Sequence, residues 1–442
     1  MNILAKPTPV KAVFILCILL FQSFIQKTEL GTHISFLKSI DELVVLFCLP
    51  FSIKFVLEHV LVDYKLKVFT FLFLIYMSLV FISSLFGSGN FTQFVYQFLL
   101  DSKFIIVFLF CYGAYRENTS ERYFATFMKM LVIVNIPFVL LQLGLPSVYD
   151  DIFPQGAHHG KFFNSEGQTS ARTAGMFWFT GLFAFFMAIA AGFFSIQLLV
   201  GKRARSNYFY LFISCTLLLS TLSRGEIMAF LISGIFTYIF FISHKKIKPL
   251  YFLCLPLGLI FFTAVNHHLV IKSLTEVGIL ESVERDVAPR AKMLTAAIDE
   301  ANENFPLGAG LGTLGGQAAV VADSELFYKH GFQYEWYFVQ GMYLTDTYWP
   351  KVIAETGWLG FILLGAIYLY FPFVYVRSGA ECTVPLLFNF FSGIALFINS
   401  LSSPVYNSAI MIVLVFFLVG YGPRMKNTPP NVIDSQQDAS YE

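Results

Sequence analysis

The chain has 442 residues, of which 57% are hydrophobic, 18% aromatic and only 13% charged, with a formal net charge of +1. Soluble domains carry about 25% charged residues, so this deficit excludes a soluble protein, and the near-neutral balance gives nucleic acid no footing. The 6 cysteines lie in or beside apolar runs, which suggests neither a disulfide framework nor a zinc site.

The opening stretch, MNILAKPTPVKAVFILCILLFQSFIQ, has the basic start and apolar core of a signal peptide. It lacks an A-x-A cleavage site and more apolar runs follow, so an uncleaved first span is expected. A span needs about 20 apolar residues to cross about 30 Å of hydrocarbon. About twelve are predicted, near 11–26, 40–58, 68–86, 94–114, 123–145, 173–200, 208–222, 225–243, 249–265, 350–376, 384–401 and 404–421. The expected fold class is all-α: a polytopic integral membrane protein with about 12 transmembrane helices.

Lysine and arginine set the orientation. With the N-terminus cytoplasmic, the inner segments carry Lys6 and Lys11, Lys65 and Lys67, Arg116 and Arg122, then Lys202, Arg203 and Arg205. Further along they carry Lys245, Lys246 and Lys248, then Arg377, then Arg424 and Lys426. The opposite orientation would export nearly all of these charges. Two outward loops are then long, 146–172 and a larger, partly helical one at 266–349, within one integral membrane domain, 1–426. The tail, 427–442, is polar, holds Pro-Pro and shows no apolar periodicity, so it is expected to be disordered on the cytoplasmic side.

Arginines on the outer side are the anomaly: Arg172, Arg224, Arg285 and Arg290. Arg224 stands in TLSRGEIMAF, after an apolar run from Tyr208 that is only about 15 residues, or roughly 22 Å, long. The Ser223-Arg224-Gly225 turn should therefore sit below the outer surface. A charge at depth costs about 2.5–3.5 kcal/mol and faces a partner or a wet cavity. Pairing with Glu226 and an anion site are both open readings. Arg172, in TSARTAGMFWF, is expected to open the sixth span with Thr169 or Ser170 as cap. An arginine there opposes the helix dipole, so it is either an ordinary juxtamembrane residue or has an anion nearby.

Arg290 stands in ERDVAPRAKMLTAAIDEANENFPLGAG, where Pro289 suits a first helical turn and Met293, Leu294, Ala297, Ile298 and Ala301 form an apolar stripe. Arg290 projects from that stripe, unlike Lys292, either snorkelling or reaching inward. Three arginines at the outer membrane level fit a lipid-linked diphosphate, because guanidinium binds phosphate through bidentate, charge-assisted hydrogen bonds.

GLGTLG, 310–315, matches G-x-G-x-x-G, but no strand precedes it and no βαβ unit fits. A tight re-entrant turn packed on the spans is expected, with phosphate approach by its N–H groups a second reading. FYKHGFQYEWYFVQGMYLTDTYWP reads as an interfacial aromatic belt or as stacking faces for sugar rings. Asp346 and Glu355 follow, around Pro350 at the start of the tenth span. Both suit a helix N-terminus, and both are candidates to take a proton from a sugar hydroxyl. His158, His159 and His330 lack metal-ligand spacing and are expected on the surface. No metal and no cofactor are expected.

TLSRGEIMAF, APRAKMLTAAIDEANENFPLGAGLGTLG and WPKVIAETGWLGFILLG together resemble the O-antigen polymerase and O-antigen ligase superfamily of envelope glycosyltransferases, over roughly residues 170 to 365. The resemblance implies a helical membrane fold related to the C-type glycosyltransferases. It implies a bacterial inner-membrane enzyme with a periplasmic active site, using glycans on undecaprenyl diphosphate without metal or nucleotide sugar. The diphosphate-binding role carries over to Arg224, Arg290 and Arg172. The resemblance also implies a chain-length regulator protein as a partner, beside the lipid-linked oligosaccharide and the bilayer. Ligases show a His-Asn pair shortly before the glutamate, where this chain has Asp346 and Thr347, which favours a polymerase. The rivals are a ligase that moves glycan to lipid A-core and a polysaccharide or lipid-linked oligosaccharide transporter or flippase. Common twelve-span carriers have a long central cytoplasmic loop and matching halves, whereas the segment from Gly201 to Asn207 is short.

Overall fold

The computed structural model describes residues 7–116, 118–153, 161–163, 169–244, 289–341, 344–377 and 383–420. The expected span at 249–265, Arg285, His158, His159, the 266–288 part of the large loop and the tail at 427–442 lie outside the described residues.

The long helices are α1 Pro9–Gln26, α2 Ile40–His59, α3 Tyr64–Phe86, α4 Phe91–Asp101, α5 Lys103–Ala114, α6 Thr119–Gly144 and α7 Thr180–Leu199. After them come α8 Arg205–Ser220, α9 Arg224–His244, α10 Pro289–Glu303, α11 Trp349–Arg377, α12 Val384–Ser400 and the short α13 Ala409–Phe416. A two-stranded antiparallel ribbon, Lys161–Phe163 with Thr169–Ala171, departs from the all-helical expectation.

Among the described residues, 7 helical segments are long and apolar enough to cross a membrane: α1, α3, α4 with α5, α6, α7, α9 up to Ile242, and α11 up to Tyr370. Other predicted spans are helical but fall short of that standard for local reasons. α2 carries Asp41, Glu42, Lys54 and Glu58, α8 has 16 residues, α12 has 17 and α13 only 8. The run predicted at 94–114 divides at Ser102, where Asp101 and Lys103 turn to different partners. Lys103 reaches Asp41 at 2.7 Å and Glu42 at 2.8 Å, which ties α5 to α2.

α7 is apolar all round and buried on nearly every face, as a central helix must be. α8, α9 and α12 pack on it. Phenylalanine fills much of the interior: Phe124 meets Phe193, Phe388 and Phe417 at centroid distances of 5.0–5.2 Å. α3 behaves oppositely. It turns Phe71, Leu74, Phe81, Leu85 and Phe86 outward, an apolar face suited to acyl chains. α11 is the hub for function, because α3, α10 and α12 all pack against it.

Candidate functional site

The turn between α8 and α9 is built by its own hydroxyls. Thr221 Oγ1 donates to Leu218 O at 2.6 Å and accepts from Ser223 N at 3.2 Å. Leu222 takes φ 52°, a left-handed conformation that reverses the chain. Ser223 Oγ then donates to Glu226 Oε2, which fixes the carboxylate in the first turn of α9. Ser-x-x-Glu is a helix-start pattern, so this local geometry follows from the sequence.

Arg172 reaches the same turn from a different part of the chain. Its Nε donates to Thr221 O at 3.1 Å and its Nη2 to Ser223 Oγ at 2.9 Å. Burial draws this guanidinium below its ordinary value, the Glu226 carboxylate opposes that shift and Arg224 adds to it. Arg290, half-buried at the start of α10, also acts electrostatically on Glu226. Arg224 itself is exposed. Arg172 thus shares Ser223 with the buried Glu226 carboxylate, Arg290 bears on that carboxylate electrostatically, and Arg224 lies two positions before it in the same helical turn.

The sequence placed Arg172 at the mouth of a helix, and the structure corrects this. α7 begins only at Thr180, and residues 172–179 form an irregular strap. Buried irregular backbone needs partners, and side chains from other helices supply them. Gln142 accepts from Ala174 N at 2.9 Å and donates to Arg172 O at 3.0 Å, while Asn135 accepts from Met176 N at 2.9 Å. Lys27, fully buried, donates to Gly175 O at 2.5 Å and to the Tyr149 hydroxyl. Arg172 is therefore held by a polar scaffold rather than set against a dipole.

The second charged group surrounds Glu355. It is 0% exposed, and its Oε1 accepts from Gly312 N at 2.9 Å. One helical turn before it, Lys351 donates to Asp101 Oδ1 at 2.6 Å, and Gln97 donates to the same oxygen at 2.8 Å. The glycine-rich segment of 308–316 folds back onto this spot. Ala309 N donates to Ala354 O at 2.7 Å, Gly310 N to Glu355 O at 3.1 Å, and Leu311 N to Ser84 Oγ at 3.0 Å. Ser83 Oγ donates to Glu355 O at 2.7 Å and to Gly308 O at 3.1 Å.

Two glycines permit this approach. A Cβ on Gly308 would lie 2.4 Å from Ala354 O. Gly357 breaks α11 at φ 67°, and a Cβ there would lie 2.6 Å from Leu307 C. The segment is a turn clamped between α3 and the break in α11, with backbone N–H groups spent on protein oxygens.

Asp346 lies half-buried in the bend before α11, in a different setting from Glu355. The two charged groups share one end of the bundle. Met293, one turn along α10 from Arg290, lies with Lys351 against Gly315. On the other side, a Cβ on Gly225 would come within 3.1 Å of Ser402 Oγ, and Trp349 Nε1 donates to Ser400 Oγ at 2.8 Å. The 400–402 bend thereby links the Arg224 turn to the start of α11.

His330 differs from the surface position expected of it. Only 13% of its side chain is exposed, and Nε2 lies 2.7 Å from Glu300 Oε1, beside Lys329 at 2.5 Å from the same oxygen. This cluster ties α10 to the short helix Glu325–Lys329 and the residue after it. The aromatic stretch divides too: Tyr337 is buried, whereas Tyr334 and Trp336 are exposed. Sequence reasoning missed Asp101, Gln97 and Lys351. The available signal was a carboxylate, Asp101, inside an apolar run, which demands a partner.

A protein-family model described as O-antigen ligase matches residues 209–365, which supports the resemblance to the O-antigen ligase and polymerase superfamily. Its members are glycosyltransferase-like enzymes. The matched segment includes Arg224, Glu226, Arg290, Asp346 and Glu355, and leaves Arg172 outside it. No curated protein matches the chain.

Proposed function

Starting from that superfamily match, we propose that the chain is a polysaccharide polymerase of the bacterial inner membrane, acting at the periplasmic face. The growing glycan on undecaprenyl diphosphate is the donor, and an incoming lipid-linked repeat unit supplies the acceptor hydroxyl. The observation that carries this reading is that Arg172 is bonded to the turn that carries Arg224 and Glu226, with Arg290 in electrostatic reach of that carboxylate. Guanidinium groups suit a diphosphate, which they bind through charge-assisted hydrogen bonds.

In the reaction, the acceptor oxygen bonds to the anomeric carbon as the bond from that carbon to the diphosphate oxygen breaks. The diphosphate leaves with the electron pair, its charge met by the arginines. Each donor placed where charge develops contributes about 2.7–4 kcal/mol. Asp346 takes the hydroxyl proton. It is half-buried, so a substrate can reach it, whereas Glu355 is sealed and its Oε1 holds the glycine turn. Glu355 therefore acts by shaping the site floor, with α11 and the glycine turn as one unit. Asp346 and Thr347, where ligases carry His-Asn, favour polymerase over ligase.

Surface glycan from deletion and Arg224→Ala strains, run on a gel, tests the reading. Loss of a polymerase leaves lipid carrying one repeat unit. Loss of a ligase leaves none, and substrate held on the inner face indicates a flippase. An unchanged long-chain ladder in a strain without a second such enzyme overturns all three.

A further inference from the structure

The arginine cluster contains its own anion. Glu226 is 7% exposed, is clamped by Ser223, and lies within electrostatic reach of Arg172 and Arg290, while Arg172 and Arg224 oppose each other. Guanidinium groups within electrostatic reach of one another repel, and low-dielectric surroundings sharpen that repulsion. A fixed carboxylate offsets it. Ser223 serves both sides, donating to Glu226 and accepting from Arg172, so the carboxylate and the cations are positioned by one hydroxyl.

We propose that Glu226 is a resident counter-anion of the diphosphate site: it holds the arginines together before substrate arrives and repels the diphosphate once bound, which limits affinity and aids release of the leaving lipid. This rests on the reading of the arginines given under Proposed function. A purely structural reading exists, since an acid in a first helical turn also favours the helix dipole. The two differ in sign. If Glu226 only caps α9, its loss loosens the turn and weakens anion binding. If it is a counter-anion, neutralising it at constant shape strengthens binding.

The probe is inorganic pyrophosphate, titrated calorimetrically into the full-length protein in nanodiscs at low and high salt. Glu226→Gln keeps an acceptor for Ser223 and removes the charge. Its dissociation constant is expected to fall about tenfold at low salt, with a steeper salt dependence. Arg224→Ala and Arg290→Ala are expected to weaken binding. Unchanged or weaker binding in a folded Glu226→Gln protein, with the arginine variants still weakened, overturns the counter-anion role and leaves the diphosphate site standing. Absence of pyrophosphate binding in the unaltered protein overturns both.

Should Glu226→Gln fail to fold, the pair Glu226→Gln/Arg290→Gln decides. Removing one cation with the anion is expected to restore a folded protein, and a pair as unstable as the single variant overturns the proposal.

Discussion

Two charged groups lie at one end of this bundle and are built on opposite rules. Around Glu226, Ser223 joins the carboxylate to Arg172, Arg290 acts on it electrostatically, and Arg224 is exposed. Around Glu355, Lys351 and Asp101 close on each other at 2.6 Å, Gln97 adds a third contact, and the glutamate accepts a backbone N–H. The first group has an exposed arginine, Arg224, and can be reached. The second spends its charge on the protein. A charged residue at membrane depth needs a partner or a wet cavity, and the two groups differ in how far they are sealed from solvent.

Substitutions in the two groups should therefore separate function from stability. Asp346→Asn removes the proposed base at the reachable side. Polymer formation is expected to fall by about 100- to 10,000-fold, with a far smaller change in melting temperature than Asp101→Ala produces. Asp101→Ala strikes the closed group, because it removes the carboxylate to which the buried Lys351 donates. Breaking a buried pair costs about 3–5 kcal/mol, so this variant should express poorly or melt far below the parent. Thermal denaturation and glycan gels on both variants test the distinction. A stable Asp101→Ala protein, or an unstable Asp346→Asn one, would break it.

The glycine turn sharpens the comparison at a smaller scale. Gly357→Ala puts a Cβ against Leu307 and forces a side-chain residue to hold φ 67°. The expected loss is about 1–3 kcal/mol, read as a lower melting temperature. Glycan length should follow only in proportion to the folded protein that remains. A Gly357→Ala protein of full stability would show that α11 does not depend on the clamp.

These contrasts also mark what could be read from the residues alone. Apolar runs with few charges place α1, α2, α3, α6, α8, α9, α11 and α12 close to their observed ends. The 94–114 run divides into α4 and α5, α7 starts later than expected, and Pro289 and Pro350 lie in the first turns of α10 and α11. The Arg224 break is visible because charge between two apolar runs has no other cheap explanation. What was not legible depends on distance along the chain. Ser83 meets Glu355 across 272 positions, and Lys351 meets Asp101 across 250. No local pattern encodes such pairings. Arg172 was misplaced for a related reason: apolarity runs through 173–179 much as a helix would, and only the partners of its backbone, Gln142, Asn135 and Lys27, show that it is a strap.

Lys27 gives the subtlest test, since it belongs to neither rule. It is fully buried one residue beyond α1, and its partners are neutral: the Gly175 carbonyl, the Tyr149 hydroxyl, and the rings of Tyr149 and Phe153 at 4.6 and 5.2 Å. Burial lowers it from 10.5 to about 7. Below that pH the lysine is protonated in folded and unfolded chains alike, and the full desolvation penalty bears on the fold. Between about 7 and 10.5 the unfolded chain binds the proton more tightly, so stability rises with pH across that window. The melting temperature in detergent is expected to climb by about 3 °C between pH 6 and pH 9, and Lys27→Met should flatten that climb. The same variant releases Gly175, so the strap that carries Arg172 should loosen and polymer yield should fall modestly at every pH. An equal climb in Lys27→Met would mean that the ammonium is not the titrating group, and unchanged yield would detach the strap from the arginine cluster.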